Sequence, residues 1–163
     1  MGINSNRSRF TRFAALALAT VAVGAFATGG ANADTSRQGR AEVIELQLKD
    51  LEYETLDLGK AGPSLGDMSV YCATAVEKGR VVGRGGGTSQ VLSVSGGKVT
   101  SQVVITVELK RGTLTMQSLR SDDASSLDMA ITGGTGDFRD ARGNVRYWDI
   151  NTPKERLRAE ILH

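Results

Sequence analysis

Residue types that build common catalytic and structural centres are scarce in this 163-residue chain, which has one cysteine, Cys72, and one histidine, His163. A single cysteine cannot form an internal disulfide. Without a second histidine or cysteine, the chain cannot assemble the usual zinc site, Ser-His-Asp triad or Cys-His pair. Any chemistry must come from carboxylates, hydroxyls, tyrosine or arginine. We therefore expect no metal and no other cofactor.

Cys72 lies within an apolar stretch of the sequence. Its neighbours are Val70, Tyr71 and Ala73. A free cysteine packs as a small hydrophobic residue, and it is among the residue types most often buried. We expect a buried, structural thiol here rather than a reactive one.

The N-terminal 33 residues have the pattern of a secretory signal peptide. Arg7, Arg9 and Arg12 form a basic head, residues 13–27 are an apolar run, and residues 31–33 read Ala-Asn-Ala, which fits a cleavage site. This run is short for a membrane span, and no second apolar run follows it. We expect cleavage after Ala33, a domain over residues 34–163, and a secreted protein without a membrane anchor.

Excess positive charge is also lacking once that segment is removed. The chain has 20 Lys and Arg against 18 Asp and Glu. Three of the arginines belong to the basic head, which leaves 17 against 18. With no basic excess and few aromatic residues, the sequence gives no electrostatic indication of nucleic-acid binding.

Alternation of apolar and polar residues dominates the rest of the chain. Regularly spaced segments of this kind, joined by short turn signals such as Ser95-Gly96-Gly97-Lys98, indicate antiparallel strands. No segment has a convincing helical pattern. A small sheet of about eight strands hides its edges best by closing, so we expect an all-β, eight-stranded antiparallel β-barrel. The predicted strands are 42–54, 67–77, 81–94, 99–109, 113–120, 127–132, 144–150 and 156–162.

A glycine-rich segment, Ala130 to Val145, connects two of these strands. Its sequence is AITGGTGDFRDARGNV. A phosphate-binding loop would need Gly-Lys-Ser/Thr or a following helix, and a strand pattern follows instead. We interpret the segment as a rigid corner at the rim of the β-structure, with backbone conformations that only glycine adopts easily.

The first strand carries acidic residues on its apolar face. Strict alternation puts Asp50 and Glu52 on the same side as Ile44, Leu46 and Leu48. An acid turned towards an apolar interior is a marker of a functional site. The alternative is that the strand has reached solvent by Asp50.

The corner also carries a family resemblance. Residues 130–143 resemble both the AITGGSGxF signature of allene oxide cyclases and the GGTGxFRxARG signature of dirigent proteins. The likeness covers most of the chain from about Glu42. It implies an eight-stranded barrel, commonly trimeric, with a hydrophobic cavity open at one end.

The resemblance also implies site residues. The cavity acid of the first strand falls at Asp50, and a second cavity residue, before the glycine corner, falls at Asp128. Alternation alone favours Leu127, Met129 and Ile131 as the core face of that strand. The arginine that some dirigent proteins place in the corner is replaced by Thr135.

Three functions are compatible with this pattern. In the first, the barrel holds one small, largely apolar, reactive molecule and steers its intramolecular cyclisation or stereoselective coupling. Asp50 would be the general acid or base and Asp128 its partner. The expected substrate-binding residues are Glu52, Tyr71, Thr74 and Thr135. The alternatives are a dirigent-like binding or carrier protein without chemistry, and a trimeric surface spacer whose cavity is filled by side chains.

Overall fold

The computed structural model describes residues 41–163, which form a closed barrel of eight antiparallel strands. Each strand pairs with the next along the chain, and the last pairs with the first. The expected signal peptide lies outside the described residues. The strands are β1 (Ala41–Leu56), β2 (Met68–Glu77), β3 (Arg80–Ser95), β4 (Lys98–Leu109), β5 (Gly112–Ser121), β6 (Ser126–Gly134), β7 (Arg142–Trp148) and β8 (Arg156–Leu162).

The predicted eight-stranded antiparallel barrel is confirmed, and in β6 and β8 buried apolar residues alternate with outward-facing residues. In β8, the buried residues Leu157, Ala159 and Ile161 alternate with exposed charged residues. In β6, Leu127, Met129 and Ile131 are buried, as alternation predicted. Burial of apolar area contributes roughly 25 cal/mol per Å², so this packed interior is the main stabilising feature of the fold.

One end of the barrel is filled by the glycine corner. A short 3-10 helix, Gly136–Phe138, turns the fully buried Phe138 ring into the barrel where β2, β4, β6 and β8 finish. Gly136 has φ +60°, and a Cβ there would lie 2.3 Å from the carbonyl oxygen of Arg111. This close approach and the positive φ explain why glycine occupies the position, as the sequence predicted for the corner. We call this the closed end.

The Arg111 side chain covers the closed end from outside. Its guanidinium lies 5.0 Å from the centre of the Phe138 ring. It also pairs with Asp137 at 2.9 Å and with the carboxylate of Glu42. One cation thus joins the β4–β5 turn, the corner and the start of β1.

At the other end, which we call the open end, a β-bulge interrupts β1. Lys49 pairs with Thr74, and the next pair is Glu52 with Cys72, so β1 contains one extra residue. Asp50 has φ +53°, a left-handed conformation that aspartate tolerates better than most residues. A bulge of this kind reverses which side chains point inwards. Beyond it, Leu51 and Tyr53 face the barrel interior.

The bulge also separates β1 from β8. Register between these strands ends at Gln47 and Arg156, and one further hydrogen bond joins Leu48 N to the carbonyl oxygen of Glu155 at 2.8 Å.

Among residues 41–163, no helix is long and apolar enough to cross a bilayer.

Candidate functional site

The open end contains a cavity lined by polar and aromatic side chains. Its polar lining includes one cation, one carboxylate and all three tyrosines of the chain. Leu51, Val103, Leu127 and Ile150 supply apolar wall. Polar groups converging in a partly apolar hollow are typical of a small-molecule site. The polar residues are Tyr53, Ser69, Tyr71, Ser89, Arg120, Tyr147, Asn151 and Glu155.

Glu155 is the buried carboxylate of this cavity, with 2% of its surface exposed. Tyr147, which points inwards from β7, donates its hydroxyl hydrogen to Glu155 Oε2. The backbone N–H of Asn151 donates to Glu155 Oε1 at 2.6 Å. Burial, together with the nearby Glu155, raises the pKa of Tyr147 well above 10. The phenol therefore stays protonated and available as a donor.

The loop between β7 and β8 positions Glu155. Asp149 and Asn151 both adopt left-handed conformations, with φ of 60° and 64°. The Asp149 carboxylate accepts hydrogen bonds from Arg156 at 2.8 and 3.2 Å, and Thr152 donates its hydroxyl to the Asp149 carbonyl at 2.7 Å. Aspartate and asparagine are enriched in the left-handed region, which explains this composition. The loop holds the carboxylate inside the barrel.

Arg120 is the cation of the cavity and points inwards near the end of β5. Its Nη2 donates to the carbonyl oxygen of Ala124 at a long 3.4 Å. Its Nε is buried and has no hydrogen-bond partner among the described residues. An unsatisfied buried donor on a permanent cation is unusual in a folded protein.

The remaining tyrosines differ in environment. Tyr53 shares a hydrogen bond of 2.8 Å with Ser69 Oγ, and this bond is the main reason that the pKa of Tyr53 is lowered below 10.0. Tyr71 is more deeply placed, and burial raises its pKa well above 10. The positive charge of Arg120 acts in the opposite direction on Tyr71, because it favours the phenolate.

Two spaces of different size meet at this end. The inner cavity has a volume of about 60 Å³, enough for a few waters or one small substituent. A groove of about 870 Å³ lies beside it, between the bulge and the β7–β8 loop. Leu51, Tyr53 and Asn151 line both spaces and form the partition between them. Sites for drug-sized ligands usually measure 300–1,000 Å³, a range that the groove reaches and the inner cavity does not.

Of the residues predicted from the sequence to bind substrate, the structure places Tyr71 in the inner cavity. Glu52 and Thr74 lie on the outer face of the barrel, Glu52 because the bulge reverses the alternation after Asp50. Cys72 is also exposed on the outer face, and its Sγ lies 3.6 Å from Glu52 Oε2. The prediction of a buried Cys72 is wrong, because the inward face of β2 is formed by Tyr71 and the small residues beside Cys72.

Asp50 lies at the bulge itself and is exposed. It lines the groove, and the inner cavity is lined instead by Leu51 and Tyr53 from the same strand. The expectation that Asp50 enters an apolar interior is corrected, because strict alternation does not continue through a bulge.

Asp128 lies on the outer face of β6. Arg146 Nη1 donates to both of its carboxylate oxygens, at 2.8 and 3.0 Å, and the Asp128 side chain is 73% exposed. The expected cavity position is therefore corrected, because Leu127 and Met129 take the inward positions on either side. The structure does not bring Asp50 and Asp128 together.

Thr135 lies at the closed end, away from the cavity. Its Oγ1 accepts a hydrogen bond from the backbone N–H of Thr113 at 3.0 Å and lies 2.8 Å from Thr113 Oγ1. These contacts fasten the glycine corner to β5. The structure therefore places Thr135, which was predicted to bind substrate, at the end of the barrel opposite the cavity.

Of the polar residues that line the cavity, sequence reasoning identified only Tyr71. Arg120 and Tyr147 continue the inward alternation of β5 and β7, so period two could have identified them. Tyr53 could have been identified as inward-facing only with knowledge of the bulge. Glu155 lies in a loop, where no alternation of apolar and polar residues indicates which side chains point inwards. Within residues 41–163, no three His, Cys, Asp or Glu side chains are placed to hold a metal ion.

The fold and site can be compared with known proteins. Pyocyanin demethylase superimposes with a TM-score of 0.69 at 27% identity, covering 74% of this chain and 99% of its own. An exo-specific intermolecular Diels-Alderase has a TM-score of 0.60 at 14% identity, covering 76% and 98%. A pterocarpan synthase dirigent protein has a TM-score of 0.56 at 18% identity, covering 76% and 96%. The last two likenesses establish a shared fold.

No match was found among curated protein sequences. The family model described as "Allene oxide cyclase barrel like domain" matches residues 44–162, which is nearly all of the barrel. The family that the glycine-corner motif suggested is therefore confirmed, and this chain belongs to the allene oxide cyclase barrel-like family.

Proposed function

We propose that this protein binds one small, largely apolar molecule at the open end of the barrel and steers an intramolecular ring closure by acid–base catalysis. The observation that carries the proposal is the buried pair of Glu155 and Tyr147 in the cavity wall. The family membership supports ring closure as the reaction type, and the intermolecular Diels-Alderase that shares the fold supports ring formation in the wider sense. A polar substituent of the ligand would enter the inner cavity, and its apolar body would rest in the groove.

Glu155 has the properties that a proton-transfer group needs. One oxygen is held by the Asn151 N–H and the other by the Tyr147 hydroxyl, so the carboxylate is fixed in orientation. In this proposal Glu155 accepts or returns a proton, directly or through the Tyr147 hydroxyl. The apolar wall excludes water and holds the reacting atoms in near-attack geometry.

Asp50 has a different place in this proposal. Its position at the edge of the groove supports contact with a polar group on the outer part of the ligand. Asp128 has no part in the proposed reaction, since its carboxylate is paired with Arg146 on the barrel exterior.

Demethylation of a pyocyanin-like molecule is a second candidate reaction. It is favoured by the 27% identity to Pyocyanin demethylase over nearly all of that protein's length. Pyocyanin is therefore the first compound to incubate with the purified protein, with products identified by chromatography and mass spectrometry. Loss of a methyl group would favour this candidate over ring closure.

Binding without chemistry is the third candidate. The inner cavity of about 60 Å³ and the fold shared with a dirigent protein favour it. Mass spectrometry of molecules extracted from the purified protein would identify a bound ligand. The ligand is then incubated with the protein without added cofactors. If it is recovered chemically unchanged every time, we conclude that the protein carries the ligand and does not catalyse a reaction.

We also propose that the protein is exported and that it forms a trimer. The basic and apolar N-terminal segment supports export with removal of residues 1–33, and the family resemblance supports a trimer. Fractionation with N-terminal sequencing tests the first, and light scattering of the purified protein tests the second. An uncleaved chain, or a monomer at working concentrations, would contradict them.

A further inference from the structure

The guanidinium of Arg120 is the one charged group of the cavity that the structure leaves without a counterpart among residues 41–163. Nε is buried without a partner, and Nη2 makes a single long bond to a backbone carbonyl. The ion pairs of the described barrel all involve other residues. Arginine cannot lose its proton at ordinary pH, so the positive charge stays in place.

Such an arrangement is costly for a fold that carries no ligand. A buried donor without an acceptor destabilises a protein by about 1–3 kcal/mol, and a charged donor by more. Replacing unpaired or poorly paired buried charges by apolar side chains often stabilises a protein. The cavity therefore keeps a donor that lacks an acceptor oxygen.

Glu155 does not supply this acceptor. The hydrogen bonds that its two oxygens accept come from Tyr147 and from the backbone of Asn151, and none comes from Arg120. The cavity thus offers two fixed and opposite groups, a carboxylate already bonded within the protein and a guanidinium with a free donor. A ligand that fits both would place a proton donor near Glu155 and an acceptor oxygen at Arg120.

We propose that the cavity recognises its ligand through an anionic oxygen, a carboxylate or a phenolate, held by the guanidinium of Arg120, which lines the cavity. This assignment rests on the proposed ligand site but not on catalysis. An anionic oxygen is favoured over a neutral carbonyl because charge-assisted hydrogen bonds are about twice as strong as neutral ones.

Matched ligands test the assignment on the full chain as purified. Benzoate and benzamide have nearly the same shape but differ in charge, and titration calorimetry gives both affinities. We expect benzoate to bind at least about tenfold more tightly, the factor that 1.4 kcal/mol of a charged hydrogen bond produces. Ionised 4-nitrophenol provides the phenolate arm. Tighter binding of benzoate assigns a carboxylate, and tighter binding of the phenolate assigns a phenol.

Three variants make the result specific. Arg120→Met should abolish the preference for benzoate and raise Tm without ligand, because it removes the unpaired buried charge. Arg120→Lys should keep part of the preference, because it retains the charge. Arg139→Met is the control, since that side chain is 81% exposed at the closed end and should change nothing. A preference that survives in Arg120→Met, equal affinity for the paired ligands, or no binding of either anion overturns the proposal.

The Glu155→Gln variant separates this inference from the proposed reaction. It should lose turnover and keep the preference for benzoate, because Arg120 is intact. Full turnover in Glu155→Gln with an intact preference would reject the catalytic role and leave the Arg120 assignment standing. A preference that survives in Arg120→Met, together with lost turnover in Glu155→Gln, would reject the Arg120 assignment and leave the catalytic role standing.

Discussion

Tyr147 and Glu155 form a hydrogen bond inside the barrel across the loop that joins the last two strands. Tyr147 is 5% exposed and Glu155 is 2% exposed, so the pair is shielded from bulk solvent. The bond links the end of one strand to the loop before the next. It gives the cavity a fixed, hydrogen-bonded pair of a carboxylate and a phenol in a chain whose only histidine is His163.

Replacement of Glu155 by glutamine should lower turnover by about 100-fold or more, the range that general acid–base catalysis contributes. The amide keeps the size of the side chain, so the fold should persist. Glu45→Gln is the matched control, because that side chain is 70% exposed on the outer face. Product formation is measured with the molecule extracted from the protein, and circular dichroism checks the fold.

Asp50→Asn in the same assay compares the two carboxylates. Asp50 lies at the groove, outside the inner cavity, so we expect it to change apparent affinity more than the rate. Loss of turnover in Asp50→Asn with normal turnover in Glu155→Gln would return the acid–base role to the residue that the sequence indicated.

The three tyrosines should ionise at different pH values. Tyr53 has a pKa below 10.0, chiefly because of its bond with Ser69, whereas burial raises the pKa of Tyr71 and Tyr147 well above 10. An alkaline titration followed by tyrosinate absorbance should show one early ionisation and two that accompany unfolding. Tyr53→Phe should remove the early step. Three equivalent ionisations near pH 10 in the folded protein would contradict these environments.

The same shifts predict instability at high pH. A raised pKa in the folded state means that Tyr71 and Tyr147 bind their protons more tightly there than in the unfolded chain. Their contribution is fully present below pH 10 and is lost as the pH rises above it. The free energy of unfolding, measured by urea titration, should fall steadily over that range.

Arg111→Met should destabilise the barrel by about 1–2 kcal/mol, since it removes two exposed ion pairs and a cation–π contact. Thermal unfolding measures the loss. Arg139→Met, which removes a looser pair with Asp140 at 3.8 Å, is the control and should have little effect. Equal stability of the two variants would show that Arg111 does not hold the closed end together.

The contact between Arg111 and Glu42 also predicts how the stability of the barrel changes at acidic pH. The hydrogen bond of Arg111 with Glu42 is the main cause that lowers the pKa of that carboxyl below 4.5, although burial opposes it. The stabilisation is present above pH 4.5 and is lost as the pH falls through the lowered pKa. In Arg111→Met this part of the acid dependence should disappear. Urea titrations at several acidic pH values compare the two proteins.

Gly143→Ala should cost about 3 kcal/mol or more. Gly143 has φ +132°, and an added Cβ would lie 1.9 Å from the carbonyl oxygen of Glu160. Gly96→Ala is the matched comparison, with φ +59° and open space around the added atom, so it should cost about 1–2 kcal/mol. Chemical unfolding of both variants gives the difference, and equal costs would rule out the backbone clash.

The course of the strands could be predicted because alternation and turn residues are local signals. Leu127, Met129 and Ile131 are buried as their period required, whereas the family resemblance placed Asp128 inwards and the structure places it outwards. The bulge at Asp50 could not be predicted, since aspartate is compatible with a left-handed conformation but does not specify one. One extra residue there was enough to exchange Glu52 for Tyr53 at the cavity.

Glu155 was beyond prediction for a different reason. It follows Pro153 and Lys154 in a loop, where no period distinguishes an inward side chain from an outward one. Its burial depends on the left-handed conformations of Asp149 and Asn151 and on contact with β1. Those are tertiary relationships, and only the assembled barrel displays them.

Phe138 determines how molecules can travel through this protein. Its ring fills the closed end. A compound that enters at the open end, where Ile150 lines the cavity, therefore has no passage through the barrel and must leave by the same end. In the proposed reaction, substrate and product would therefore compete for one entrance, and competitive product inhibition is the kinetic pattern that we expect.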